Sequence, residues 1–197
     1  MLERLRPHAR RAAECPARLL ARAGVGPNAL TLTGLLLNLF VAVVLASGYP
    51  MVGGVLVLLA NAFDMLDGTL ARITGQTTRF GAFLDSTLDR YAEALIYLGV
   101  MVWLFSRGES GPLLAAYLAV VGSLMVSYTR ARAEGLGLHG EVGWLQRPER
   151  IVLLALALIF HQHLLSPVLW LLAVLTNFTV VQRMIHVKRQ LGSPDGK

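Results

Sequence analysis

Four aspartates lie in two stretches of this sequence that are otherwise apolar. Asp64 and Asp67 are three residues apart, and Asp85 and Asp89 are four apart, so in helices each pair shares one face. Two such faces turned toward each other make an all-oxygen cage, which hard divalent cations such as Mg²⁺ and Mn²⁺ prefer over softer ligands. Four uncompensated carboxylates in a bilayer would cost on the order of 10 kcal/mol. The spacing therefore predicts a divalent metal site.

The composition places these acids in a membrane protein. The chain has 197 residues, of which 55% are hydrophobic and only 15% charged, whereas a soluble domain carries roughly 25% charged residues. The net charge of +6 does not indicate a nucleic-acid partner, because the charges lie between apolar segments rather than along one face. Cys15 is the single cysteine, so an internal disulfide is excluded.

About six apolar stretches follow a basic head, and each is near the ~20 residues that a helix needs to cross the hydrocarbon core. We expect an all-α integral membrane fold in one domain over residues 1–197. Residues 1–26 would form an amphipathic helix on the membrane surface, and residues 27–190 a core of six transmembrane helices. The predicted spans are 29–49, 51–71, 82–105, 112–132, 150–165 and 167–186.

The arginines and lysines predict the orientation. They concentrate in the head, in the loops after the second and fourth spans and in the tail, whereas the opposite side has only Arg107. The positive-inside rule therefore puts both termini and the acid site on the cytoplasmic side of the cell membrane. The residues counted on that side are Arg4, Arg6, Arg10, Arg11, Arg18, Arg22, Arg72, Arg79, Arg130, Arg132, Arg147, Arg150, Arg183, Lys188, Arg189 and Lys197.

Basic residues lie at the same predicted ends of the spans as the acids. Arg130, Arg150 and Arg183 fall at the cytoplasmic ends of spans four, five and six. Two metal ions held by acids can clamp a diphosphate, and arginine binds a phosphate through two parallel hydrogen bonds. The combination of acids and arginines indicates phosphate chemistry.

The acids also belong to a longer pattern, Asp-x-x-Asp-Gly-x-x-Ala-Arg-x8-Gly-x3-Asp-x3-Asp, which runs from Asp64 to Asp89 without a departure. It resembles the signature of the CDP-alcohol phosphatidyltransferases. The resemblance implies an integral membrane enzyme with six transmembrane helices behind an N-terminal surface helix. Such an enzyme transfers a phosphatidyl group from CDP-diacylglycerol to an alcohol and releases CMP, and the resemblance also suggests a homodimer in the lipid membrane, with no nucleic-acid partner.

The resemblance assigns roles to single residues. It implies two ions, Mg²⁺ or Mn²⁺, the first held by Asp64, Asp67 and Asp85 and the second by Asp64, Asp85 and Asp89. Asp89 would also be the base that deprotonates the acceptor hydroxyl. The segment Pro27-Asn-Ala-Leu-Thr31 resembles the family's entry to the first transmembrane helix. The residues implied for binding the CDP-lipid are Asn28, Ala29, Leu30, Thr31, Gly68, Arg72 and Thr78.

The second half of the chain bears on the acceptor. The stretches 127–134 and 146–150 resemble the branch that makes phosphatidylinositol phosphate from inositol 1-phosphate. That branch binds the acceptor's phosphate with three basic residues, which here would be Arg130, Arg150 and Arg183. The first is usually lysine in that branch, so the charge is kept here but not the shape. Glycerol 3-phosphate, the acceptor of phosphatidylglycerophosphate synthases, stays open as an alternative.

Two other classes of protein also place acids in membranes. Polyprenyl transferases use two Asp-rich segments and a metal-bound diphosphate, but typically need more than six spans and lack the Asp-Gly-x-x-Ala-Arg-x8-Gly frame. A metal or anion transporter can line its path with acids, but it needs access from both sides, and all four aspartates here are predicted at one end. The phosphatidyltransferase is the interpretation that the sequence favours.

Overall fold

The computed structural model describes residues 6–138, 142–143 and 146–192, and every regular element in these ranges is an α-helix. The chain divides between Trp103 and Leu104 into two compact units. That division falls inside a helix, and the single domain over residues 1–197 stays a prediction. Arg4 and Lys197, which entered the charge count for the predicted orientation, lie outside the described residues.

The first unit contains four helices: α1 (Arg6–Arg22), α2 (Pro27–Ala46), α3 (Pro50–Ile73) and α4 (Arg79–Ser106), the last of which continues past the division. Prolines occupy the first turns of α2 and α3, where the missing N–H has no partner to lose. The turn between them needs Gly48 because its φ is +90°. These features join α2 and α3 by a short connection.

The helices of the first unit pack through apolar and small residues. Ala17 of α1, Leu30 of α2 and Leu70 of α3 are buried in one core cluster. On α4, a Cβ added to Gly99 would lie 2.5 Å from the Ala42 carbonyl oxygen, so only glycine permits this approach to α2. Helix α2 therefore contacts α3 and α4, the two helices that bear the aspartates.

The second unit contains α5 (Ser110–Glu134), α6 (Arg147–Ile159) and α7 (His161–Leu191). Helices α5 and α7 pack closely, since a Cβ on Gly122 would lie 2.2 Å from Thr176 Oγ1. Asn177 adds a hydrogen bond across the same contact, from Nδ2 to the Leu118 carbonyl at 3.1 Å. Small residues that let helix backbones approach are typical of contacts inside membranes.

Helix α6 begins with a capping box, in which the Gln146 and Glu149 side chains accept from each other's main-chain N–H groups. The Gln146 N–H donates to Glu149 Oε2 at 3.0 Å, and Pro148 occupies the first turn. The helix has 13 residues, or about 20 Å of length, compared with the ~30 Å of the hydrocarbon core. It packs against α7.

Within the part of the chain that the structure describes, four helices are long and apolar enough to cross a membrane, namely α2, α3, α5 and α7. By length and composition the chain is an all-helical integral membrane protein. The predicted spans 51–71, 82–105 and 112–132 each fall within one helix, α3, α4 and α5, whereas the span 29–49 extends past the end of α2 at Ala46.

The predicted boundary between the fifth and sixth spans was wrong. Spans 150–165 and 167–186 placed the break at Ser166, but the structure ends α6 at Ile159 and begins α7 at His161, so Ser166 lies inside α7. Phe160 makes the break with φ −102° and ψ +39°. The polar run His161-Gln-His163 directly follows Phe160, so a change in hydropathy marked this position, but the predicted fifth span ran through it.

Candidate active site

The four predicted aspartates line one small cavity of the first unit. Asp64 and Asp67 come from the last turns of α3, and Asp85 and Asp89 from the first turns of α4. The cavity has a volume of about 10 Å³, close to the smallest space that holds a water molecule. The other residues that line it are Thr31, Leu35, Leu88 and Ala92.

Asp67 is buried and held at both of its oxygens. Thr31 Oγ1 donates to Asp67 Oδ2 at 2.8 Å, across the contact between α2 and α3. The Gly68 N–H donates to Asp67 Oδ1. Hydrogen bonds to a charged acceptor are among the stronger ones in proteins, so these two fix the direction in which Asp67 faces the cavity.

The donor set of this cavity fits a hard divalent cation. Four carboxylates offer only oxygen ligands, which Mg²⁺ and Mn²⁺ prefer. Among the residues that the structure describes, no three His, Cys, Asp or Glu side chains already form an arrangement that could hold an ion. The fit therefore lies in the chemistry of the donors and in their shared cavity, and the carboxylates must turn to close around an ion.

A larger cavity of about 210 Å³ adjoins the acids and shares Thr31, Asp67 and Asp85 with the small one. It is smaller than the ~300–1,000 Å³ of typical small-molecule sites, so it suits the polar part of a ligand rather than a whole lipid. Its lining residues are Pro27, Asn28, Thr31, Asp67, Gly68, Ala71, Gln76, Thr77, Thr78, Gly81, Ala82 and Asp85.

The larger cavity brings together four of the residues predicted to bind the CDP-lipid, namely Asn28, Thr31, Gly68 and Thr78. Thr78 Oγ1 accepts the Gly81 N–H at 2.9 Å, which closes the turn between α3 and α4 beside the cavity. This turn also uses Gly75 at φ +67°.

Three other predicted donor-binding residues are placed elsewhere. Leu30 packs in the apolar core, and Ala29 is exposed. Arg72 donates from Nε to the Gly68 carbonyl at 3.0 Å and from Nη2 to Thr69 Oγ1 at 3.2 Å. None of the three is among the lining residues of the larger cavity.

The sequence analysis missed Gln76 and Thr77, which line the larger cavity. Both fall within the eight residues that the signature leaves unspecified. A signal was available, because Gly75 precedes them and a glycine between two helices marks a turn whose side chains face whatever the helix ends enclose.

The predicted acceptor-binding arginines are all in the second unit, and each is held differently. Arg130 is exposed, and its Nε donates to Glu134 Oε1 at 2.8 Å. Arg150 is 1% exposed, the largest fully buried side chain among the described residues. Arg183 is 6% exposed, and it donates from Nε to the Val142 carbonyl at 2.7 Å and from Nη1 to the Val126 carbonyl.

Of these three arginines, Arg183 lines a cavity described for the second unit. A cavity of about 160 Å³ lies between α5 and α7, and Arg183 lines it together with Arg132. Arg130 and Arg150 are not among its lining residues. Arginine 132 had not been predicted as a site residue.

The fold and this site define a helical membrane protein whose acid cluster adjoins a larger cavity. A sequence profile described as CDP-alcohol phosphatidyltransferase matches residues 25–181, which is most of the chain. The chain therefore belongs to the CDP-alcohol phosphatidyltransferase family, as the acid signature predicted, and it is an enzyme of that class.

Relatives within the family cover nearly the whole chain. The phosphatidylinositol phosphate synthase of Mycobacteroides abscessus is 38% identical over 91% of this chain and 84% of its own length. The archaetidylinositol phosphate synthase of Pyrococcus horikoshii is 34% identical over 97% of this chain and 98% of its own length.

The fold is similar to solved structures of one such enzyme. The crystal structure of Mycobacterium tuberculosis phosphatidylinositol phosphate synthase with CDP-DAG bound has a TM-score of 0.87 and 34% sequence identity, covering 94% of this chain and 96% of that one. The same enzyme in complex with manganese and citrate has a TM-score of 0.84 at 33% identity, with 93% and 91% covered.

Proposed function

We propose that this protein transfers a phosphatidyl group from CDP-diacylglycerol to the hydroxyl of inositol 1-phosphate and releases CMP. The observation that carries the proposal is the position of the four signature aspartates, which line one cavity beside a larger cavity. The relatives support inositol 1-phosphate as the acceptor, because the names of both synthases describe an inositol phosphate lipid as the product.

The acids have the chemistry to hold two divalent ions. Asp64, Asp67 and Asp85 would bind the first, and Asp64, Asp85 and Asp89 the second. A crystal structure of the related M. tuberculosis enzyme contains manganese, which supports a divalent metal here. When bound, such ions neutralise the diphosphate and stabilise the charge that develops on the leaving CMP.

The nucleotide end of the CDP-lipid fits the larger cavity. Asn28 and Thr78 offer polar side chains there, and Gly68 leaves the backbone open. A Cβ on Gly68 would meet no atom within 4 Å, so the glycine is not required by packing. It instead keeps space for a ligand. Ala29, Leu30 and Arg72 would then support this site from outside the cavity.

Asp89 is the proposed base. A carboxylate can take the proton of the acceptor hydroxyl if it lies within hydrogen-bond reach of that hydroxyl. Asp89 lines the acid cavity, so the deprotonated hydroxyl oxygen would form beside the phosphorus it attacks. The new phosphodiester bond forms as the bond between the phosphorus and CMP breaks.

The proposed acceptor site uses Arg130, Arg150 and Arg183 to bind the phosphate of inositol 1-phosphate. The flanking segments resemble those of the branch that makes phosphatidylinositol phosphate, which supports this assignment. The burial of Arg150 and Arg183 supports it as well. Arg183 donates two N–H groups to main-chain carbonyls, which fix the direction of its guanidinium group. Glycerol 3-phosphate would use the same phosphate site and remains the alternative acceptor.

A second candidate concerns the donor lipid. Two of the relatives are archaetidylinositol phosphate synthases, including one from Methanothermobacter thermautotrophicus that is 38% identical over 97% of this chain. The same acid site would serve a CDP-lipid with an archaetidyl group, because the chemistry at phosphorus is unchanged. CDP-diacylglycerol is preferred because the structural similarity extends to an enzyme with CDP-DAG bound.

One assay tests the proposed function. CMP release by the purified protein is measured with CDP-diacylglycerol and, separately, inositol 1-phosphate, glycerol 3-phosphate, free inositol and serine. We expect the fastest release with inositol 1-phosphate. A preference for free inositol or serine would refute the phosphate site, and a preference for glycerol 3-phosphate would overturn only the inositol assignment. The same series of acceptors with a CDP-archaetidyl donor tests which donor lipid the enzyme prefers.

The proposed topology has α2 to α7 crossing the cell membrane, α1 on its inner surface, and both termini and the acid site in the cytoplasm. The basic head and tail support this orientation. Cys15 is exposed on α1 and is the single cysteine, so a membrane-impermeant maleimide should label it in inside-out vesicles and not in right-side-out ones. The proposed homodimer is tested by mass measurement in detergent.

A further inference from the structure

Helix α2 presents two small residues to the two acids of α3. Thr31 Oγ1 donates to Asp67 Oδ2, and a Cβ added to Gly34 would lie 2.6 Å from Asp64 Oδ1. Thr31 and Gly34 are three residues apart on α2, as Asp64 and Asp67 are on α3. One face of α2 therefore meets one face of α3, residue for residue.

The same register holds far from the acids. A Cβ on Gly53 of α3 would lie 2.2 Å from Leu45 Cδ2 of α2. Moving along α3 from Gly53 to Asp64 takes the same number of residues as moving back along α2 from Leu45 to Gly34. The close contact near the α2–α3 turn thus fixes which residue of α2 lies opposite Asp64.

Gly34 is buried, and the Asp64 carboxylate fills the space that a side chain at position 34 would need. The oxygen would be 2.6 Å from that Cβ and Asp64 Cγ 3.7 Å from it, and real Cβ atoms do not approach an oxygen so closely. The atom in conflict is the end of a rotatable side chain. An alanine would therefore turn the carboxylate more readily than it would separate the helices.

We propose that Gly34 is a positioning residue that sets where the Asp64 carboxylate lies, and so sets the affinity of the acid site for its divalent ion. The inference rests on the proposed function, in which Asp64 binds both ions. Gly34 is outside the acid signature and does not line either cavity of the site. It acts only through Asp64.

The test compares full-length wild-type protein with Gly34→Ala in detergent. Mn²⁺ binding is measured from the electron paramagnetic resonance signal of free Mn²⁺, and thermal unfolding is measured without metal. Residues that orient metal ligands typically change metal affinity by about 10- to 100-fold. We expect Gly34→Ala to raise the Mn²⁺ dissociation constant by at least about tenfold, with an unfolding temperature near that of wild type.

Two matched glycine-to-alanine controls distinguish an effect on the position of the Asp64 carboxylate from a general effect on helix packing. Gly111→Ala places a Cβ in open space on α5 and should leave both measurements unchanged. Gly122→Ala forces a Cβ into Thr176 and should lower the unfolding temperature while leaving Mn²⁺ affinity unchanged. A Gly34→Ala variant that behaves like either control would overturn the inference.

A double substitution keeps the test decisive if Gly34→Ala alone does not fold. Asp64→Ala removes the conflicting oxygen, so Gly34→Ala added to it should fold as Asp64→Ala does and bind Mn²⁺ no more weakly. A further loss of affinity in the double variant would show that Gly34 does not act through Asp64. Absence of Mn²⁺ binding by the wild type would overturn the metal site and this inference together, whereas failure of inositol 1-phosphate as acceptor would leave the Mn²⁺ result standing.

Discussion

In the first unit, four acids from α3 and α4 line one cavity, and neighbouring residues hold them in place. In the second unit, the three candidate arginines come from α5, α6 and α7, and two of them donate hydrogen bonds to other groups of that unit. Arg130 pairs with Glu134, and Arg183 donates to two main-chain carbonyls.

The difference follows from chain topology. The acids lie at the end of one helix and the start of the next, so a turn of a few residues brings them together. The arginines are separated by whole helices and by loops, so only long-range packing determines where they lie. We therefore expect substitutions of the acids to abolish catalysis, and those of the arginines to have graded effects on the acceptor alone.

Removing divalent metal should have the largest effect. A chelator is expected to abolish CMP release, and added Mg²⁺ or Mn²⁺ to restore it, because the four clustered carboxylates then lack the cation that would neutralise the diphosphate. Circular dichroism of the chelated protein controls for loss of the helical fold. Full turnover in metal-free buffer would contradict the two-metal proposal. It would also remove the proposed contrast between catalytic acids in the first unit and acceptor-binding arginines in the second.

Asp89→Asn should slow transfer by about 10²–10⁴-fold, the usual contribution of a general base. CDP-diacylglycerol binding, measured separately by titration, should change little because Asp89 contributes to one ion only. Asp64→Asn is the matched comparison and should also weaken donor binding, since Asp64 contributes to both ions. If Asp89→Asn kept more than about a tenth of the wild-type rate, another residue would have to be the base.

Arg150→Ala should raise the KM for inositol 1-phosphate by about 10- to 100-fold, since it removes a charge-assisted hydrogen bond to phosphate. The KM for CDP-diacylglycerol should stay near its wild-type value. Arg150 is buried, so thermal unfolding and the charge-retaining Arg150→Lys variant accompany the measurement. An equal rise in both KM values would make Arg150 a structural residue and undo the proposed division of roles.

Thr31→Val removes the hydroxyl that donates to Asp67 while keeping the shape of the side chain. A hydrogen bond to a charged group contributes roughly 1.5–3 kcal/mol, so Mn²⁺ affinity should fall by about tenfold. Thr31→Ser retains the hydroxyl and should bind Mn²⁺ as the wild type does. If Val and Ser gave the same affinity, the hydrogen bond would have no part in the metal site.

Arg130→Ala should have the smallest effect, raising the KM for inositol 1-phosphate by about two- to fivefold. Arg130 is exposed and already paired with Glu134, and exposed ion pairs contribute at most about 1 kcal/mol. The KM of the Arg130→Ala variant is measured with inositol 1-phosphate and, separately, with glycerol 3-phosphate. No change with either would remove Arg130 from the phosphate site and leave two arginines there.

The acid cluster and the family could both be predicted from the residues and their spacing. Asp64, Asp67, Asp85 and Asp89 are spaced to share helix faces, and their signature is unbroken over a short stretch of chain. Local periodicity and a short turn are enough to bring such residues together, so the spacing predicted their common cavity. The starts of α2, α3 and α6 were also predictable, because proline marks the first turn of each.

Only the tertiary structure decided the rest. The polar run from His161 to His163 did not by itself show whether a helix would end before or after it, and the structure ends α6 at Ile159. The partners of Arg183 and the contact of Gly34 with Asp64 join residues far apart in sequence. A residue's own type does not reveal which distant atom will lie against it, and that proximity is decided when the helices pack in register.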